Sequence, residues 1–110
     1  MEIFFSNRKL KRQLSDPKET YKAFGQMARK IKQRLSELES ADNLSVMKTL
    51  PAARCHELKG NRKGQLAVDI IKNYRIVFKP AYNPLPLKDD GSLDWIQVSK
   101  IEILKIEDYH

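Results

Sequence analysis

The sequence predicts a chain of the α+β class, helices first and strands after, and two patterns carry that expectation. In the first forty residues apolar side chains recur every three or four positions, the spacing of a helix with one buried stripe. From Arg54 onward, short runs of β-branched and aromatic residues are separated by turn-forming residues. A chain of 110 residues, 41% of them hydrophobic, makes one domain over residues 1–110 that needs neither disulfide nor metal to fold.

Glu2 to Phe5 reads as a short strand, and Asn7 as the cap of a brief basic helix through Leu14. Asp16-Pro17-Lys18-Glu19 starts the next helix, with a capping residue, a proline in the first turn and an acid able to reach back to the cap. Tyr21, Phe24, Ala28, Ile31, Leu35 and Leu38 then form one stripe, which predicts a single helix of about six turns. Lys22, Arg29, Lys30, Lys32 and Arg34 fall off that stripe and are expected on a cationic outer surface. Asn43 to Leu50 adds a helical turn or two, stopped by Pro51.

Three strands are predicted next, at Arg54–Leu58, Leu66–Ile71 and Tyr74–Lys79, joined by K-G-N-R-K-G and by Lys72-Asn73 into a meander. Alternation puts Leu66, Val68 and Ile70 on one face of the second, and sets Arg75 opposite Tyr74 and Ile76 in the third. The final segment, Trp95 to Tyr109, changes phase at Ile101 and again at Leu104, which requires either a bulge or a central strand packed on both faces. Between them, Pro80 to Asp94 is a proline-rich connection long enough to be functional or mobile.

The formal net charge of +7 is unevenly spread. Residues 1–40 hold ten Lys/Arg and five Asp/Glu, residues 41–80 eight and three, and residues 81–110 three and six. The cationic first eighty residues would draw a polyanion or an acidic protein, or simply solubilise the chain. No apolar run is long enough to span a bilayer, and the start M-E-I-F-F-S-N does not resemble a signal peptide. With Cys55 alone in the sequence, a cytoplasmic, reducing location is expected.

Cys55 and His56 are adjacent on a predicted strand, so their side chains face opposite ways and cannot act as a thiolate–imidazole pair. Two histidines and one cysteine without ligand spacing argue against a metal, and no cofactor is implied. The loop Lys59-Gly60-Asn61-Arg62-Lys63-Gly64 brings cations and permissive backbone together, suiting a phosphate or a wet hairpin connection. RNA cleavage through the neighbouring 2′-hydroxyl needs a base, an acid and cations around the phosphorus. His56 and His110 titrate near neutrality, Asp108 is able to orient an imidazole, and Tyr109 to stack or donate a proton. Lys59, Arg62, Lys63 and Arg75 are candidate phosphate ligands. Singly, each also has an ordinary reading: an interior histidine, surface cations, a frayed terminus.

The stretch L-P-A-A-R-C-H-E-L-K-G-N-R-K-G-Q-L-A-V-D-I (Leu50 to Ile70), the strand N-Y-R-I-V-F (Asn73 to Phe78) and the closing E-D-Y-H (Glu107 to His110) resemble the RelE/ParE superfamily of toxins, and within it the HigB-type plasmid-maintenance killer proteins. The resemblance implies N-terminal helices packed on a largely antiparallel sheet of four to five strands. It further implies a toxin of a type II toxin–antitoxin system that cuts messenger RNA in the ribosomal A site and is blocked by a cognate antitoxin, commonly a helix-turn-helix, HigA-like protein. By position it makes His56, Asp108, Tyr109 and His110 the catalytic set, and gives Lys59, Arg62 and Arg75 cationic roles. The two histidines would then be brought together by the first and last strands of the meander. A gyrase poison of the ParE sort and a non-catalytic nucleic-acid-binding module are the alternatives.

Overall fold

A computed structural model describes residues 1–109; His110, named above, lies outside the described residues. In chain order they form strand β1 (Glu2–Phe5), helices α1 (Arg8–Ser15), α2 (Pro17–Phe24) and α3 (Ala28–Ser40), and strands β2 (His56–Glu57), β3 (Leu66–Ile71), β4 (Tyr74–Pro80) and β5 (Lys100–Asp108). The sheet order is β1-β5-β4-β3-β2, with β1 parallel to β5 and every other pairing antiparallel. The helices cover one face, so the expected α+β architecture is the observed one.

Helix starts follow the capping residues. The Asn7 side chain accepts from the Leu10 N–H, and that of Asp16 from Lys18, with Pro17 in the first turn. The reciprocal bond expected from Glu19 has no donor to use, because the Asp16 N–H already donates to the Arg12 carbonyl that ends α1. The single six-turn helix is not formed. Gly25 takes φ 58, a left-handed value cheap only for glycine, and a 3₁₀ turn over Gly25–Met27 separates α2 from α3. The apolar stripe is broken with it: Ile31 and Leu38 are fully buried, whereas Tyr21 is 68% exposed.

Arg34 corrects the outer-surface expectation, since it is only 3% exposed. Its Nε donates to the Asp69 carbonyl at 2.7 Å, Nη2 to the Ala52 carbonyl at 3.1 Å, and Nη1 to Glu37 Oε1 at 3.0 Å. One guanidinium thus ties α3 to β3 and to the turn before β2. Helical periodicity marks such a side chain as polar but gives no sign of the carbonyls waiting for it.

The main core joins Leu10, Leu14, Ile31 and Leu38 of the helices to Leu66, Val68, Ile70, Ile76, Phe78, Ile101 and Ile103 of the sheet. Among the described residues a small second cluster, Leu58, Ala67 and Val77 with Leu104, lies apart from it. The phase change in β5 has both predicted causes. Val77 pairs with Lys105 but Phe78 with Ile103, so Leu104 is an extra residue, and β5 is also central, between β1 and β4. Strand β2 is shorter than expected because Pro51–Ala53 forms a 3₁₀ turn and Arg54 has φ 44, so pairing begins at His56. The proline-rich connection is ordered by Tyr82 and Leu85 packing on the core and by a bridge between Leu87 and Leu93.

Replacing Arg34 with Ala strips two interior carbonyls of their donors, which should destabilise the fold by about 3 kcal/mol. Urea unfolding should show a lower midpoint at unchanged slope.

Candidate active site

Cross-strand partners share a face of a sheet, so the register assigns side chains to sides. Two rows, Ala67–Val77–Lys105 and Asp69–Arg75–Glu107, run across β3, β4 and β5, with His56 in register beside Ala67. Since Val68, Ile76 and Ile106 turn toward the helices, these rows occupy the opposite, open face.

Glu107 is the hub of that face. Its Oε2 receives Arg75 Nε at 2.7 Å and Nη2 at 2.6 Å, while Oε1 receives Arg62 Nη1 at 2.7 Å and Lys105 Nζ at 3.2 Å. Burial acts to raise the Glu107 carboxyl, but the hydrogen bonds from Arg62, Arg75 and Lys105, with the charge of Arg75, outweigh it and hold the pKa at about 2. Three cations converge on one carboxylate, leaving the cluster net positive.

Tyr109 follows the strand end. Its N–H donates to the Asn73 carbonyl at 2.9 Å, and the Arg75 guanidinium lies 4.2 Å from its ring centroid. Arg54 clamps Asp69, with Nε to Oδ2 at 2.7 Å and Nη2 to Oδ1 at 3.0 Å. That bond raises the Arg54 pKa against the opposing effect of burial, and the neighbouring Tyr109 phenol adds a smaller push in the same direction. His56 Nδ1 lies 2.7 Å from the Arg54 carbonyl oxygen. A carbonyl only accepts, so Nδ1 carries the proton and Nε2 of the neutral ring keeps its lone pair.

The first and last strands of the meander are not neighbours in the sheet. Strands β3 and β4 separate β2 from β5, a gap of three strand spacings or roughly 14 Å. Side chains bridge it instead, since Tyr109 rests over Arg75 of β4 and beside Arg54, whose carbonyl holds His56. Asp108 is placed elsewhere: in register with Tyr74 and in phase with Ile106, it faces the helix side. There its charge and hydrogen bond raise the Tyr74 phenol pKa.

In the basic loop, Gly60 and Gly64 have φ 70 and 93 and bracket a 3₁₀ turn, Gly60–Arg62. That turn sends Arg62 inward to Glu107 and leaves Lys59 and Lys63 exposed. Arg62 Nη2 is buried without a hydrogen-bond partner among the described residues. Cys55 packs toward the main core, where burial pushes its thiol up to about 12, unsuited to a nucleophile. The sequence reading missed Glu107, Lys105, Arg54 and Asp69. Alternation along β5 puts 105 and 107 on one face, but only the register shows that Arg75 is on it too.

The profile of HigB-like toxins, described as the RelE-like toxin of the type II toxin–antitoxin system HigB, matches residues 3–85. The chain belongs to the HigB-like toxin family. It is therefore a toxin of a type II toxin–antitoxin system. The matched stretch includes His56, the basic loop and Arg75 but stops before β5, so Glu107 and Tyr109 lie beyond it. No curated protein sequence matches the chain. Among solved structures, the YoeB/ParE toxin from Agrobacterium tumefaciens is similar at 13% identity and TM-score 0.54, all of each chain being covered. The YoeB-YefM complex from Staphylococcus aureus is similar at 20% identity and TM-score 0.54, over all of this chain and 97% of that one. At these identities the likeness is one of fold, and the HigB-like chain shares the toxins' helix-on-sheet plan.

Because the folded pKa of Glu107 lies below its ordinary 4.5, its contribution to stability is complete above that value and is lost as pH falls toward about 2. Glu107→Gln should lower stability at neutral pH and flatten the acid arm within that window. Urea unfolding of both proteins across a pH series checks this.

Proposed function

We propose that this HigB-like toxin is an endoribonuclease that cuts messenger RNA in the ribosomal A site and so stops translation. One observation carries the reading. His56, with Nδ1 held by the Arg54 carbonyl and Nε2 left as an acceptor, belongs to the same sheet face as the Arg75–Glu107–Tyr109 cluster. Nε2 takes the proton of the 2′-hydroxyl; the 2′-oxygen then bonds to phosphorus as the P–O5′ bond breaks, and the leaving oxygen takes a proton from an acid. Two groups are candidates for that acid, the Tyr109 phenol and the His110 imidazole. Arg75 and Arg62 stabilise the charge gathering on the phosphate, and Lys59 and Lys63 steer the polyanion from the exposed loop. These groups complete a metal-independent cycle with no cofactor.

The toxin's partner is a cognate antitoxin, in our reading a helix-turn-helix, HigA-like protein; a solved toxin of the same fold, YoeB, is found with YefM. No helix among the described residues is long and apolar enough to cross a membrane, and we place the toxin in the cytoplasm with the ribosome.

Induced alone in bacteria, the toxin should stop translation, with primer extension revealing cuts inside coding regions. His56→Ala and His110→Ala should each lower cleavage about 10²- to 10⁴-fold while the protein still folds. Full activity in both variants would refute the assignment. Intact messages with broken DNA would instead mark a ParE-like gyrase poison, and intact messages with salt-sensitive RNA binding a non-catalytic module.

A further inference from the structure

One row of the open face lies outside the site described above. Lys79 of β4 is in register with Glu102 of β5, and Glu102 with Phe4 of β1. Phe4 is 44% exposed, whereas its neighbours Ile3 and Phe5 pack on the core. Lys79 and Glu102 stand across from each other, yet neither has an ion pair or side-chain hydrogen bond among the described residues. A cleft of about 470 Å³ opens beside them, between Gly64 and the stretch from Pro80 to Leu85, and Lys79 and Glu102 line it. That volume falls within the size range of small-ligand sites.

An aromatic ring on a solvent-facing sheet is a platform on which unpaired bases stack. A carboxylate repels phosphate, so in an RNA site it addresses a base, accepting from the projecting amino group of cytosine, adenine or guanine; uracil has no amino group and offers only its ring N3–H, set between two carbonyl oxygens that repel the carboxylate. A lysine beside it suits the adjoining phosphate. Lys79 is four residues along β4 from Arg75, roughly 13 Å, which a strand lying across Arg75 spans in a few nucleotides.

We propose that Phe4, Glu102 and Lys79 form a nucleobase subsite that stacks and reads an amino-bearing base of the RNA a few nucleotides from the cut. The subsite deepens the ribonuclease reading and rests on it. Two measurements test it. Sequencing of cut ends from cells expressing the toxin should show uracil disfavoured at one position away from the scissile bond, and Glu102→Gln should flatten that position with cleavage otherwise retained. In solution, 2′-O-methyl oligonucleotides, which cannot be cut, should bind Phe4→Ala at least about five-fold more weakly than the unaltered toxin, and Phe4→Tyr should restore binding. Circular dichroism confirms that the variants fold. An unchanged base profile in Glu102→Gln together with unchanged affinity in Phe4→Ala would overturn the subsite while leaving cleavage standing. Cleavage absent from the unaltered toxin would overturn the ribonuclease reading, and the binding arm would still decide whether the row holds a base. Loss of antitoxin binding alone in Phe4→Ala would make the row a protein-docking surface instead.

Discussion

A single carboxylate organises the open face of this toxin. Glu107 accepts from Arg62, Arg75 and Lys105, so the basic loop, the β4 strand and the end of β5 are held at one point. Three cations brought this close without an anion would repel one another, and each would lose hydration without recompense. With Glu107 present, the Arg75 plane is fixed under the Tyr109 ring, and Arg62 is pulled inward, carrying the loop with it. The roles assigned to Arg62 and Arg75 at the phosphate depend on that convergence.

The fold makes such a face available by packing helices on one side only. Leu66, Val68 and Ile70 point to the helices and bury fully or nearly so, whereas the alternate positions carry Ala67, Asp69, Arg75 and Val77. The small apolar patch at Ala67 and Val77 keeps the middle of the open face dry, and charged groups flank it toward Glu107 on one side and Glu102 on the other. A sheet of this kind offers a polyanion a rigid, charged floor. The edge histidine is oriented by a backbone carbonyl, which no neighbouring substitution removes.

Much of the architecture was legible because it follows from local rules. The Asn7 and Asp16 caps, the β3–β4 hairpin and the Arg75 side of β4 all come from capping chemistry and alternation, and the structure has each of them. Cys55 packs on the main core while His56 pairs beside Ala67 of the open face, so the two are apart as expected, although Cys55 lies just before β2 rather than in it. The failures have local causes too. The stripe from Tyr21 to Leu38 predicts one helix, yet the left-handed φ of Gly25 ends α2 inside it, and Arg34, expected on the outer surface, is held by three acceptors in the interior.

The sequence by itself determined the order of helices and strands, the capped helix starts, the cationic bias of the first eighty residues and the kinship with HigB-like toxins, because each depends on residues near one another in the chain. Only the tertiary structure decided that β1 joins β5 in parallel, that Asp108 faces the helices, and that Arg62, Arg75, Lys105 and Glu107 meet. These depend on strand register between segments dozens of residues apart, and a shift of one residue in β5 would send Lys105, Glu107 and Asp108 each to the other face.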